Sequence, residues 1–186
     1  MKNIDADIKA GNFQPVYLLY GEESYLKKQY GQKLRRALAG ADDTMNVSFY
    51  EGKNINPGEI IDLAETLPFF AERRLILIQN SGVFKSSSEE LADYMKHVTE
   101  TTCFVFVEDE VDKRGKMYKA VKNAGRAVEF PRQAEEVLTR WILARLGREQ
   151  KKITRQVLQL FLEKTGNDME YIDKELEKLI CYTLGR

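Results

Sequence analysis

Apolar and polar positions alternate in blocks along the chain, and the blocks define the elements. Val16 to Tyr20 is a continuous apolar run closed by Gly21, and Leu75 to Ile78 and Cys103 to Val107 are two more. Such runs suit strands buried on both faces of a parallel sheet. Asn46 to Tyr50, where Val47 and Phe49 alternate with polar neighbours, predicts another strand, and Ala127 to Phe130, closed by Pro131, a shorter one. Between these runs the period becomes helical. Ser24 to about Leu38 carries Tyr25, Leu26, Tyr30, Leu34 and Leu38 at helical spacing. Pro57 opens a second helix pattern with Ile60, Ile61, Leu63, Ala64 and Leu67; proline suits a first helical turn, where its missing N–H has no intrahelical partner anyway. Glu89 to Val98 is a third, with Ser87 and Glu90 as a capping box. Arg114 to Asn123 is a fourth, stopped by Gly125. Strand–helix alternation at this rhythm predicts a doubly wound α/β fold with right-handed crossovers.

After Pro131 the strands stop. Gln133 to Leu146, Thr154 to Lys164 and Met169 to Tyr182 are three helix patterns, punctuated by Gly147 and Gly166. Thr154 and Asn167 or Asp168 are N-cap candidates. The expected organisation is an α/β domain over residues 1–132 and a small three-helix domain over 133–186. The last helix carries Ile172, Leu176, Leu179 and Ile180 on one face, and the sequence stops directly after it. An apolar face at that point leads us to expect a piece of a longer protein.

Composition narrows the function. Lys plus Arg and Asp plus Glu number 29 each, for a net charge of zero. A domain devoted to a long stretch of nucleic-acid phosphate would carry a basic excess. No apolar run reaches about 18 residues, so no membrane span is expected. The polar start, MKNIDADIKAGNF, has no apolar signal-peptide segment. A cytoplasmic protein is expected, with Cys103 and Cys181 as reduced core residues, since they lack metal-ligand spacing.

The first strand leads into Gly21-Glu22-Glu23-Ser24 and a helix, the location of a phosphate-binding loop. The chemistry there is wrong for a nucleotide. A Walker A loop needs a second glycine and a Lys-Ser/Thr pair, and both are missing, while Glu22 and Glu23 put negative charge where phosphates would lie. Glu108-Asp109-Glu110 after the fourth strand resembles a Walker B end, but reads as a solvated acidic turn paired with Lys113 and Arg114. His97, the single histidine, has no nucleophile or metal partner beside it in the sequence and reads as a surface residue. No catalytic set, cofactor or metal is expected. Lys27, Lys28, Lys33, Arg35 and Arg36 on one helix, with Lys151 and Lys152, leave direct nucleic-acid binding as an alternative, against a solvated helix surface.

The most informative segment is Ala64 to Arg74, which contains Leu67-Pro68-Phe69-Phe70. Pro68 disfavours helical geometry at Leu67 and ends the helix. Two readings stay open for the adjacent rings. They pack under the helix–strand joint, as large apolar residues usually do, or they form an exposed aromatic wedge of the kind that anchors interfaces.

Four pieces in this order resemble a known family: Val16 to Glu23, the helix–Leu-Pro-Phe-Phe–strand corner from Ile60 to Ile78, FVFVEDEVDKRGK from Phe104, and GNDMEYIDKELEKL from Gly166. The chain resembles the δ subunit of the bacterial DNA polymerase III clamp loader over nearly its whole length. The resemblance implies an AAA+-like fold: a five-stranded parallel sheet domain, a three-helix lid, and a helical collar that would follow Arg186. It implies a holoenzyme component with no ATP site of its own, in keeping with the Gly21 loop. By strand order the Glu108 turn falls near the family's sensor 1 place rather than Walker B. The family's clamp-contacting pair carries over to Phe69 and Phe70, with Leu67 supporting. In the family this wedge enters an apolar pocket on the ring-shaped β sliding clamp, and binding favours an opened ring for loading onto primed DNA. The other loader subunits are implied partners mainly through the collar. A chain ending at Arg186 is therefore expected to bind the clamp without joining the motor subunits.

Overall fold

The computed structural model describes residues 1–40, 43–86 and 88–183. In chain order the elements are α1 (Lys2–Ala10), β1 (Val16–Tyr20), α2 (Ser24–Ala39), β2 (Val47–Glu51), α3 (Pro57–Ala64), β3 (Arg74–Gln79), α4 (Glu89–Tyr94), β4 (Thr102–Glu108), α5 (Lys116–Ala124), β5 (Arg126–Glu129), α6 (Glu135–Arg148), α7 (Arg155–Thr165) and α8 (Met169–Tyr182). They fall into two compact units, residues 1–22 with 27–130, and residues 23–26 with 131–186.

The first unit is built on one five-stranded sheet in the order β2-β3-β4-β1-β5. Every neighbouring pair is parallel. The three unbroken apolar runs occupy the centre: all of β1 is buried, and so are most of β3 and β4. The two weaker patterns, β2 and β5, form the edges and are only partly covered. Sequence pattern and position agree because a central strand needs apolar residues on both faces and an edge strand does not.

One face of the sheet presents Val16, Leu18, Ile76, Ile78, Phe104 and Phe106 to Ile60 and Ala64 of α3, Leu91 of α4, and Met117 and Val121 of α5. Phe104 and Phe106 stack at 5.9 Å, and Phe84 meets Phe106 edge-on at 5.2 Å. On the other face Gly31 of α2 lies against the Leu19 and Val107 side chains. The sheet is therefore wound on both faces.

Helix α1 is an element the apolar pattern does not announce, because KNIDADIKA buries only Ile4 and Asp7. A polar anchor docks it. Arg126 clasps the Asp7 carboxylate through Nε and, at 2.7 Å, through Nη2, and the Tyr17 hydroxyl donates to it at 3.1 Å. These bonds, Arg126 foremost, hold the Asp7 carboxyl below its ordinary value of 3.8 despite burial. A carboxyl depressed in this way stabilises the fold above its ordinary pKa and loses that contribution as the pH falls through the folded value. Asp7→Asn is expected to cost about 2 kcal/mol at neutral pH. Thermal unfolding of parent and variant should converge as the pH is lowered below 3.8.

Other differences from expectation are local. Arg114 precedes α5 in a turn where the Gly115 N–H meets the Asp112 carbonyl at 3.0 Å. Helix α6 runs through Gly147 to Arg148. Ser87 lies outside the described residues, as do Gly185 and Arg186, and Ser88 precedes α4 without a side-chain cap bond. Cys103 is buried as expected, but Cys181 is exposed. It sits on α8, whose buried face is carried by Met169, Ile172, Leu176 and Ile180.

The second unit has its own core. Leu138, Ile142 and Leu146 of α6 and Leu158 and Leu162 of α7 meet the buried face of α8. Thr154 and Asp168 cap α7 and α8 through their side chains. Tyr25, from the first turn of α2, meets Trp141 edge-on at 5.5 Å.

Candidate protein-docking site

The corner between α3 and β3 is held from both sides. Pro68 has no N–H to continue the helix. The carbonyls of Thr66 and Leu67 instead accept from the Arg74 guanidinium at 3.4 and 3.3 Å. That cation is itself buried, and it lies where the helix dipole is negative. One residue past Pro68, the Phe69 N–H donates to Asn46 Oδ1 at 2.6 Å, and the Phe69 carbonyl accepts from Asn46 Nδ2 at 3.0 Å. The backbone is thus fixed at Thr66, Leu67 and Phe69.

Held this way, the corner projects its apolar side chains outward. Leu67 is 79% exposed, Phe69 58% and Phe70 95%. The two rings meet edge-on, with centroids 4.6 Å apart. Of the two readings the sequence leaves open, the rings adopt the exposed one. Phe70 also has a φ of 49°, in the left-handed region, which costs an L-residue about 1–2 kcal/mol. Scattered exposed apolar residues are ordinary, but three on one rigid corner form a patch.

The residues of the phosphate-loop position are dispersed. Gly21 has a φ of 114° and passes so close to Phe130 that a Cβ would lie 2.6 Å from the Phe130 carbonyl oxygen. Glu22 and Ser24 are exposed. Glu23 is buried in the second unit, 3.6 Å from Arg132 Nη1. Burial raises its carboxyl above the ordinary range, with Arg132 opposing.

At the C-terminal ends of β3 and β4 the acidic turn is not simply solvated. Glu108 is 3% exposed. Its carboxylate accepts from the Ser81 N–H at 2.9 Å, the Ser81 hydroxyl at 2.5 Å and the Gly82 N–H at 3.3 Å. Lys27, read from sequence as part of a basic helix surface, is buried and donates to the Glu108 carbonyl at 3.0 Å and to Asp109 at 2.5 Å. Glu110 pairs with Lys85. The expected partners lie elsewhere: Lys113 on Glu129 and Arg114 on Asp112. A charge run shows its sign in the sequence but not which of its members the tertiary fold buries.

The rest of the basic helix surface is exposed at Lys28, Lys33, Arg35 and Arg36, and Lys33 reaches Asp5 at 3.2 Å. His97 is exposed. Among the described residues no group of three or more His, Cys, Asp or Glu is arranged to hold a metal ion, and no helix is long and apolar enough to cross a membrane. Sequence reasoning did not anticipate Asn46 or Arg74 as parts of the corner. Arg74 enters the sequence reading only as the end of the Ala64 to Arg74 segment, and Asn46 comes from the entry to β2 with no local signal.

Residues 17–131 match the family described as DNA polymerase III, delta subunit. The DNA polymerase III subunit delta of Bacillus subtilis is 27% identical over 190 residues, covering 96% of this chain and 54% of that protein. The solved structure of the Bacillus subtilis DNA clamp loader delta protein has a TM-score of 0.72 at 25% identity, over 100% of this chain and 58% of the other. RuvB of Thermotoga maritima has a TM-score of 0.61 at 14% identity, over 94% of this chain and 57% of its own, and this likeness shows a shared AAA+-type fold alone. The chain spans about half the length of the curated relatives it matches. With the family match extending over more than half of the chain, the chain belongs to the DNA polymerase III delta subunit family.

Proposed function

We propose that this chain docks onto the ring-shaped β sliding clamp by inserting Leu67, Phe69 and Phe70 into an apolar pocket, and that docking favours an opened ring. The observation that carries this reading is the exposure of three large apolar side chains on a corner whose backbone is fixed by Asn46 and Arg74. Burying one such side chain contributes about 1.5–3 kcal/mol, and fixing the loop beforehand reduces the ordering cost of binding. Docking shifts the ring only as far as the wedge prefers the open over the closed form. In this reading residues 1–132 form the docking domain and residues 133–186 a lid. The Gly21 loop holds no nucleotide, and the other loader subunits and primed DNA join in the full assembly.

The test is binding of the chain to purified β clamp by surface plasmon resonance, beside a Phe69→Ala/Phe70→Ala variant. Because both rings are exposed, the variant should keep the parent's unfolding temperature. A loss of about 2 kcal/mol or more is expected, as for truncation of a hot spot. Equal binding by both proteins would place the contact elsewhere.

A further inference from the structure

We propose that Asn46 is the positioning residue of this docking surface: its carboxamide fixes the Phe69 peptide plane and so sets the direction in which Phe69 and Phe70 project. The proposal rests on the docking reading above. Asn46 is 2% exposed, so its amide has left water and needs a partner on each polar edge. Phe69 supplies two, one for the oxygen and one for the nitrogen. Asp43 supplies a third, accepting from Asn46 Nδ2 at 2.9 Å. The two ends of the carboxamide are therefore not interchangeable. The oxygen must face the Phe69 N–H, and the two amide protons must face the Phe69 carbonyl and the Asp43 carboxylate.

The clasp is tied to the sheet on one side and to a turn on the other. The Asn46 carbonyl accepts from the Leu75 N–H at 2.8 Å, at the start of β3. The Asp43 carboxylate accepts from the backbone N–H groups of Met45 and Asn46 at 2.9 Å each. A rigid reference point is thus connected to the residue immediately before Phe70. A bulky residue in the left-handed region persists only where its surroundings determine it, and at Phe70 the nearest such constraint is the bond pair on Phe69. Locally the Asn46 side chain meets Asp43. Its carboxamide spans 23 positions to reach a solvent-facing loop.

The test is a double-mutant cycle on clamp binding by surface plasmon resonance, using the parent, Asn46→Ala, Phe70→Ala and the combined variant, with amide exchange followed at Phe69. Asn46→Ala is expected to weaken binding about tenfold and to speed exchange of the Phe69 N–H. In the Phe70→Ala background the same change should cost less, because one of the two side chains it orients is gone and the losses do not add. Equal fold-losses in both backgrounds, or no loss in either, overturn the positioning role. If Asn46→Ala does not fold, Asp43→Ala removes one bond of the clasp from outside and should weaken binding about threefold; unchanged binding there overturns the proposal. Binding that is lost in Phe69→Ala/Phe70→Ala but kept in Asn46→Ala removes the role of Asn46 and leaves the docking reading standing. Equal binding by Phe69→Ala/Phe70→Ala and parent removes both.

Discussion

Gly125→Ala is expected to destabilise the protein by about 4 kcal/mol or more. The cause is distance rather than backbone strain, since the φ of −161° is extended and open to any residue. A Cβ at position 125 would lie 1.9 Å from the carbonyl oxygen of Val16 and 2.8 Å from its carbonyl carbon. Both are backbone atoms, so no side-chain rotation relieves the clash. They belong to the first residue of β1, which is fully buried and paired with Phe104 of β4. Relief requires β5 to move off β1 where their pairing begins, at Tyr17 and Arg126, and Arg126 also holds α1 through Asp7. Gly147→Ala is the matched control. It lies inside α6 with nothing within 4 Å of an added Cβ, so it should stabilise by about 0.5–1 kcal/mol. Urea unfolding of the three proteins separates the outcomes through the midpoint and slope. A Gly125→Ala midpoint close to the parent's would mean that the two strands do not approach this closely.

The second large effect is expected at the ends of β3 and β4. Glu108→Ala removes the acceptor for three donors, the Ser81 N–H, the Ser81 hydroxyl and the Gly82 N–H. Donors left unpaired inside a protein cost far more than the net gain of the bonds they made. The Lys27 ammonium keeps its own partners in this variant, the backbone carbonyl at position 108 and the Asp109 carboxylate. We expect a loss of about 3 kcal/mol from the orphaned donors. Glu108→Gln should lose much less, because its side-chain oxygen still accepts from Ser81. Thermal unfolding of both variants decides the matter. Equal stability of parent and Glu108→Ala would return this residue to the solvated turn that the sequence suggests.

Legibility in the sequence followed chemistry. Val16 to Tyr20, Leu75 to Ile78 and Cys103 to Val107 were readable as strands because burial on both faces demands an unbroken apolar run. The closing helices were readable because each carries one apolar face, and two of them have a capping residue at the start, Thr154 and Asp168. Helix α1 was not, because its attachment is an ion pair with Arg126, over a hundred positions away. Lys27 and Glu108 were misread for a related reason: burial of a charge depends on partners that only the tertiary fold supplies. At Leu67 to Phe70 the sequence supplied the residues but left their exposure undecided. That depended on Asn46 and Arg74, whose bonds to the backbone have no sequence signature.

Under the proposed docking role, the left-handed backbone at Phe70 sets folding and recognition against each other. Glycine or asparagine would occupy that conformation at lower cost, so the side chain suited to an apolar pocket is not the one suited to the turn. A library of variants selected only for thermal stability should drift away from phenylalanine at position 70. One selected for partner capture should retain it and accept a slightly less stable fold.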